Sequence, residues 1–98
     1  MAMMTFLARM KVKEGKEADF IRLAQALTSK VLTHESGTVA YEFFKLRDVP
    51  LGYAVFEQFM SEEDEEAHRN TDYFHKLAPQ LLECLDGTYV REFLDSID

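Results

Sequence analysis

An α+β sandwich built on one four-stranded antiparallel sheet is the fold class that this sequence predicts. Three observations predict it. The chain has 98 residues, enough for one core and no second domain. Its periodicity switches between two-residue alternation and a helical stripe in the order β-α-β-β-α-β. Its turn signals, Pro79 excepted, fall between those segments.

Each element follows in order. Residues 3–12 (MMTFLARMKV) read as a strand, apolar on both faces near its centre. "KEGK" turns the chain at Gly15. From Glu17 to about Thr33, Phe20, Leu23, Ala24, Leu27 and Val31 recur at helical spacing and form an apolar stripe. "HESG" breaks that helix, with Gly37 suited to a C-terminal cap. Residues 38–47 (TVAYEFFKLR) and 51–59 (LGYAVFEQF) are rich in β-branched and aromatic types, and "DVPLG" joins them as a hairpin. Ser61 with Asp64 resembles a capping box, so a short acidic helix starts at about residue 62. Asp72 is the expected cap of a second helical segment carrying Phe74, Leu77, Leu81 and Leu85. Pro79 is expected to kink or split it. Gly87 stops it, and residues 88–94 (TYVREFL) form the last strand. The pattern is a ferredoxin-like single domain with its core at about residues 3–94.

Helices on one side of such a sheet leave its other face to water, which calls for polar residues there. Both faces instead carry apolar side chains: Val39, Tyr41 and Phe43 against Ala40, Phe44 and Leu46, and Tyr53, Val55 and Phe59 against Ala54 and Phe56. A second copy of the sheet is the simplest cover, so a homodimer is expected.

Composition narrows the function classes. Apolar residues make up 47% of the chain, and 18 acidic against 11 basic residues leave a net charge of −7. That charge repels phosphate backbones and anionic lipid, which argues against nucleic acid and membrane surfaces as partners. No apolar run approaches a membrane span, and the first residues lack a leader pattern, so the expected location is the cytoplasm. Cys84 is the single cysteine and sits at helical spacing from Leu81 and Leu85, as a core residue would. His34, His68 and His75 have no metal-ligand spacing, and no phosphate loop or nucleophile elbow is present.

Two residues stand out chemically. Strand alternation places Glu57 on one face with Tyr53, Val55 and Phe59, where a carboxyl group is either desolvated or held by hydrogen bonds. It is then a general acid or base, or a structural partner of a cation such as Arg91. His68 follows Asp64 by four residues on a helix whose one apolar residue is Ala67. It is either part of a solvated charged face or a group presented to a pocket. The aromatics Phe6, Tyr41, Phe43, Tyr53, Phe59 and Tyr73 line such a pocket or fill the core.

"VKEGKEADFIRLAQAL", "HESGTVAYEFFKLRDVP" and "YAVFEQFMSEEDEEAHRNTDYFHKL" resemble, in order and spacing, the antibiotic biosynthesis monooxygenase domain, in particular the quinol monooxygenase-like dimeric α+β barrels. The resemblance spans about residues 5–85. It implies catalytic roles for Glu57 and His68, with Tyr41, Tyr53, Phe59, Tyr73 and Phe74 around the substrate. It implies a homodimeric enzyme that needs no cofactor or metal, deprotonates a quinol- or phenol-like aromatic, and lets the anion react with O2. Two departures from the family pattern are Phe59, where Trp is common, and Tyr73, where a second His is common. Haem-degrading relatives use a Trp and a helix His, but this chain has no Trp and carries Ala78 at that position. Two alternatives come with the resemblance. One is an acid/base isomerase of a small phosphorylated compound, similar to autoinducer-2-degrading proteins, anchored by Lys45, Arg47, Arg69 or Arg91. The other is a non-catalytic domain that binds an apolar small molecule in a stress response.

Overall fold

The structure, a computed structural model, describes residues 3–98. The reading of the chain's first residues therefore lies partly outside the described residues, at Met1 and Ala2. The elements are β1 (Met4–Lys11), α1 (Glu17–His34), β2 (Thr38–Lys45), β3 (Gly52–Phe59), α2 (Glu62–Arg69), α3 (Asp72–Glu83) and β4 (Val90–Phe93). The strands form one sheet in the order β2-β3-β1-β4, every neighbouring pair antiparallel. This is the ferredoxin-like α+β fold. Among the described residues, no helix is long and apolar enough to cross a membrane.

The core forms where the stripe of α1 meets one face of the sheet. Phe20, Leu23, Ala24, Leu27 and Val31 are buried on α1. Phe6 and Ala8 of β1, Tyr41 of β2, and Tyr53, Val55 and Phe59 of β3 are buried opposite them, with Leu81, Cys84 and Leu85 closing the end. The register holds this face together, pairing Phe6 with Glu57, Ala8 with Val55 and Met10 with Tyr53. The opposite face mixes half-buried Leu7 and Phe56 and exposed Phe44 and Val90 with two polar contacts. Those contacts are Arg9 to Glu92 at 2.7 Å and Gln58 to Thr5 at 3.1 Å.

Four local details differ from the sequence reading. α1 ends on Glu35 in an extended conformation, its N–H bonded to the Val31 carbonyl, so Gly37 is not a left-handed cap. Glycine is required at 37 for a different reason: a Cβ there would collide with the Asp64 side chain on α2. Thr71, not Asp72, caps α3, its hydroxyl accepting from the Phe74 N–H. α3 runs unbroken through Pro79, because the proline removes one intrahelical bond while Leu77 and Leu81 keep both flanking turns on the core. β4 is shorter than expected, since Thr88 and Tyr89 precede the ladder. The Ser61 cap forms as read, with its hydroxyl accepting from the Asp64 N–H at 3.1 Å.

Candidate functional site

Glu57 owes its position to β3. Being central, the strand places the carboxyl group between Phe6 of β1 and Tyr41 of β2, its cross-strand partners on the helix-facing side. Glu57 is 8% exposed. Burial pushes its carboxyl up to about 8, and the nearby Glu65 and Glu35 carboxylates add to the rise while Arg91 opposes it. At neutral pH Glu57 is therefore mostly a neutral hydrogen-bond donor.

α2 docks in an unusual way. Its buried residues are Glu65 and His68, three apart on one face, while Ala67 is exposed. Glu65 is satisfied by Arg69 at 2.8 Å. His68 is 2% exposed and wedged among three aromatic rings. Its centroid lies 5.2 Å from those of Tyr41 and Phe59 and 4.8 Å from that of Phe74. Packing thus comes from the imidazole itself, which accounts for a helix without an apolar stripe.

The two ring nitrogens of His68 face different partners. Nδ1 lies 3.0 Å from each oxygen of Glu35. Glu35 also accepts from the Thr38 hydroxyl at 2.7 Å and from the Tyr73 hydroxyl. The contact is a hydrogen bond from Nδ1–H to Glu35 in the tautomer that carries its proton on Nδ1. Nε2 lies 3.8 Å from Glu57 Oε1. Among the described residues, it is the buried side-chain nitrogen or oxygen without a hydrogen-bond partner.

A cavity of about 240 Å³ opens in front of Nε2 and Glu57. Phe6, Tyr41, Val55, Phe74 and Leu81 make its walls apolar, and Ala78 leaves room on the α3 side. Exposed Leu82, Tyr89 and Arg91 stand at its mouth. Arg91 stacks on Phe6 and Phe93 at 5.2 Å from each ring instead of pairing with Glu57. An engineered apolar cavity of ~150 Å³ accepts benzene, so this volume suits a single substituted ring.

The residues singled out in the sequence divide accordingly. Glu57, His68, Tyr41 and Phe74 border the cavity together. Phe59 is fully buried and supports the imidazole from behind. Tyr73 holds Glu35 on the opposite side of His68. Tyr53 lies away from the cavity, its hydroxyl 2.6 Å from Glu17, which Lys45 also reaches at 3.1 Å. Glu35 was not singled out by sequence reasoning; the one signal was a carboxylate placed where "HESG" ends a helix. Among the described residues, no group of three or more His, Cys, Asp or Glu side chains is arranged to hold a metal ion.

Comparison with known proteins agrees with this architecture. The model of the antibiotic biosynthesis monooxygenase family matches residues 3–80. A Caulobacter crescentus crystal structure provisionally described as an antibiotic biosynthesis monooxygenase is 28% identical, with a TM-score of 0.93 over 99% of this chain and 92% of that one. A conserved protein from Methanosarcina mazei is 25% identical, with a TM-score of 0.89 over 97% and 93% of the two chains. A Mycobacterium tuberculosis protein shares the fold at 19% identity, with a TM-score of 0.87 over 98% and 96%. No curated protein matches the chain by sequence.

Proposed function

Since the chain belongs to the antibiotic biosynthesis monooxygenase family, we propose that it is a cofactor-independent monooxygenase acting on a single-ring quinol or phenol. The observation that carries this reading is the pair of polar atoms on an apolar cavity wall, His68 Nε2 and Glu57 Oε1, 3.8 Å apart. That gap is too wide for a mutual hydrogen bond, but one oxygen atom at ordinary hydrogen-bond distance touches both. A substrate hydroxyl in that place donates its proton to Nε2 and accepts from the neutral Glu57 carboxyl. His68 is then the base, and Glu57 stabilises the oxyanion in a water-poor site.

The electron-rich ring anion then reduces O2. Four electrons leave a phenol with a free ring position, one oxygen atom stays on the ring as a quinone carbonyl, and the other leaves as water. The protein's share is deprotonation, orientation between Tyr41, Phe6 and Phe74, and exclusion of solvent. The test is O2 consumption with single-ring phenols and aromatic diols, with no added flavin or metal, against a His68→Ala control that corrects for autoxidation. Uptake that is equal in both samples removes the reading.

The isomerase alternative draws less support. Lys45 is engaged by Glu17, Arg69 by Glu65, and Arg47 does not line the cavity, which among the described residues leaves Arg91 as the cation at its mouth without a carboxylate partner. A phosphate prefers several convergent donors. The same proposal includes a homodimer formed through the face bearing Phe44, Phe56 and Val90, because an exposed apolar sheet face otherwise invites indiscriminate association.

A further inference from the structure

His68 separates two spaces. Nε2 borders the apolar cavity, while the other side of the ring borders a polar cleft of about 310 Å³ lined by Glu35, Gly37, Thr38, Asp64 and Tyr73. We infer that Glu35 is a positioning residue for the proposed site. It holds His68 in the Nδ1–H tautomer with Nε2 aimed at the cavity, and it balances the charge that His68 gains on taking a proton there. The inference rests on the proposed oxidation for its rate readout and on geometry alone for the tautomer.

Glu35 is built to stay in place. The chain leaves α1 at this residue in an extended conformation, φ −111°, and the side chain is 10% exposed. Thr38 and Tyr73 each donate to it in addition to Nδ1, so its oxygens are held from three directions. Burial, then the hydrogen bond to Glu35, pushes the Tyr73 hydroxyl up to about 12, so it remains a donor at neutral pH. Burial likewise keeps Tyr41 protonated.

The other charged groups around the ring are otherwise engaged. Glu65, on the same helix, faces Arg69, and Asp64 accepts from Ser61. Glu57 lies on the Nε2 side, and His34 borders the cleft near Tyr73. Glu35 is thus the carboxylate on Nδ1 among the described residues. Without it, nothing selects between the two tautomers, and the Nε2–H form has no lone pair with which to accept the substrate proton.

The experiment is nitrogen-15 NMR of His68 in the full-length wild-type protein and in Glu35→Gln, paired with steady-state kinetics. The wild type is expected to carry its proton on Nδ1 with Nε2 free. Glu35→Gln is expected to populate the Nε2–H form and to lose about 10²-fold in kcat with little change in KM. Glu35→Asp restores part of the kcat because it retains a carboxylate. An Nε2–H tautomer in the wild type, or an unchanged kcat in Glu35→Gln, overturns the inference. Absence of any turnover by the wild type overturns the oxidation reading instead, and the wild-type tautomer then decides the role of Glu35. That measurement needs no variant to fold.

Discussion

His68 Nε2 and Glu57 Oε1 face each other across 3.8 Å in a site where both side chains are nearly inaccessible to solvent. The two groups come from elements that owe their positions to different physics. Strand register aims Glu57, whereas aromatic packing and the Ser61 cap seat the helix that carries His68. Their convergence puts two polar groups on the wall of an apolar cavity, and the proposed deprotonation rests on that arrangement.

His68→Ala removes the proposed base and is expected to lower kcat by about 10²-fold or more. Glu57→Leu removes the donor to the oxyanion while keeping volume, with an expected loss of similar size. Stopped assays with a phenol that turns over in the wild type measure both. Normal rates in both variants contradict the assignment.

Activity that needs a neutral Glu57 is expected to fall as pH rises through about 8. Glu57→Gln keeps a hydrogen-bond donor that does not ionise, so its profile loses that descending limb. Stability follows the same linkage. The folded carboxyl titrates near 8 against an ordinary value of 4.5, so between those pH values the folded state binds more protons than the unfolded state. The contribution is therefore complete below 4.5 and lost as pH rises through 8. Glu57→Gln is expected to melt about 5 °C or more above the wild type at pH 8.5, and to differ less at pH 5. A variant melting below the wild type at pH 8.5 contradicts the burial-driven shift.

Much of this site was legible in the sequence, for identifiable reasons. Glu57 shows because two-residue alternation is independent of the rest of the fold, and a carboxylate on an apolar strand face is anomalous by itself. His68 shows through the family resemblance, and the missing apolar stripe of α2 is explained once the imidazole is seen as its packing group. Glu35 does not show. It is 33 positions from His68, and its aim depends on how the chain leaves α1, which helical periodicity leaves open. Tyr53, Phe59 and Tyr73 share strand or helix faces with the cavity residues, but alternation cannot separate a ring that lines a cavity from one that lies beside or behind it. Gly37 reads as a cap because caps are local, while its close approach to Asp64 depends on tertiary placement.

Ala78 marks the α3 side of the cavity. Ala78→Phe fills space without removing a polar group, so ligand binding is expected to weaken about tenfold or more while Tm holds or rises. Calorimetric titration with a phenol, alongside thermal melts, tests this. Unchanged affinity places the ligand elsewhere.

Gly37→Ala introduces a Cβ into the Asp64 side chain at the start of α2. A destabilisation of about 1–3 kcal/mol is expected, with activity reduced through His68 displacement. Urea unfolding measures it, and an unchanged midpoint removes the close-approach argument.

The sheet face away from the helices is expected to pair with a second copy. Mass determination at micromolar concentration should give a dimer, and Phe44→Glu should shift it toward monomer, since Phe44 is 45% exposed on that face. A monomeric wild type contradicts this part of the account.

Turnover under isotopically labelled dioxygen, with mass analysis of the product from wild type and His68→Ala, separates enzymatic oxygenation from binding alone. One labelled oxygen atom is expected in the quinone product per O2 consumed by the wild type, with the second in water and enzymatic product lost in His68→Ala. Unlabelled product, or labelling that is undiminished in His68→Ala, contradicts the proposed oxidation.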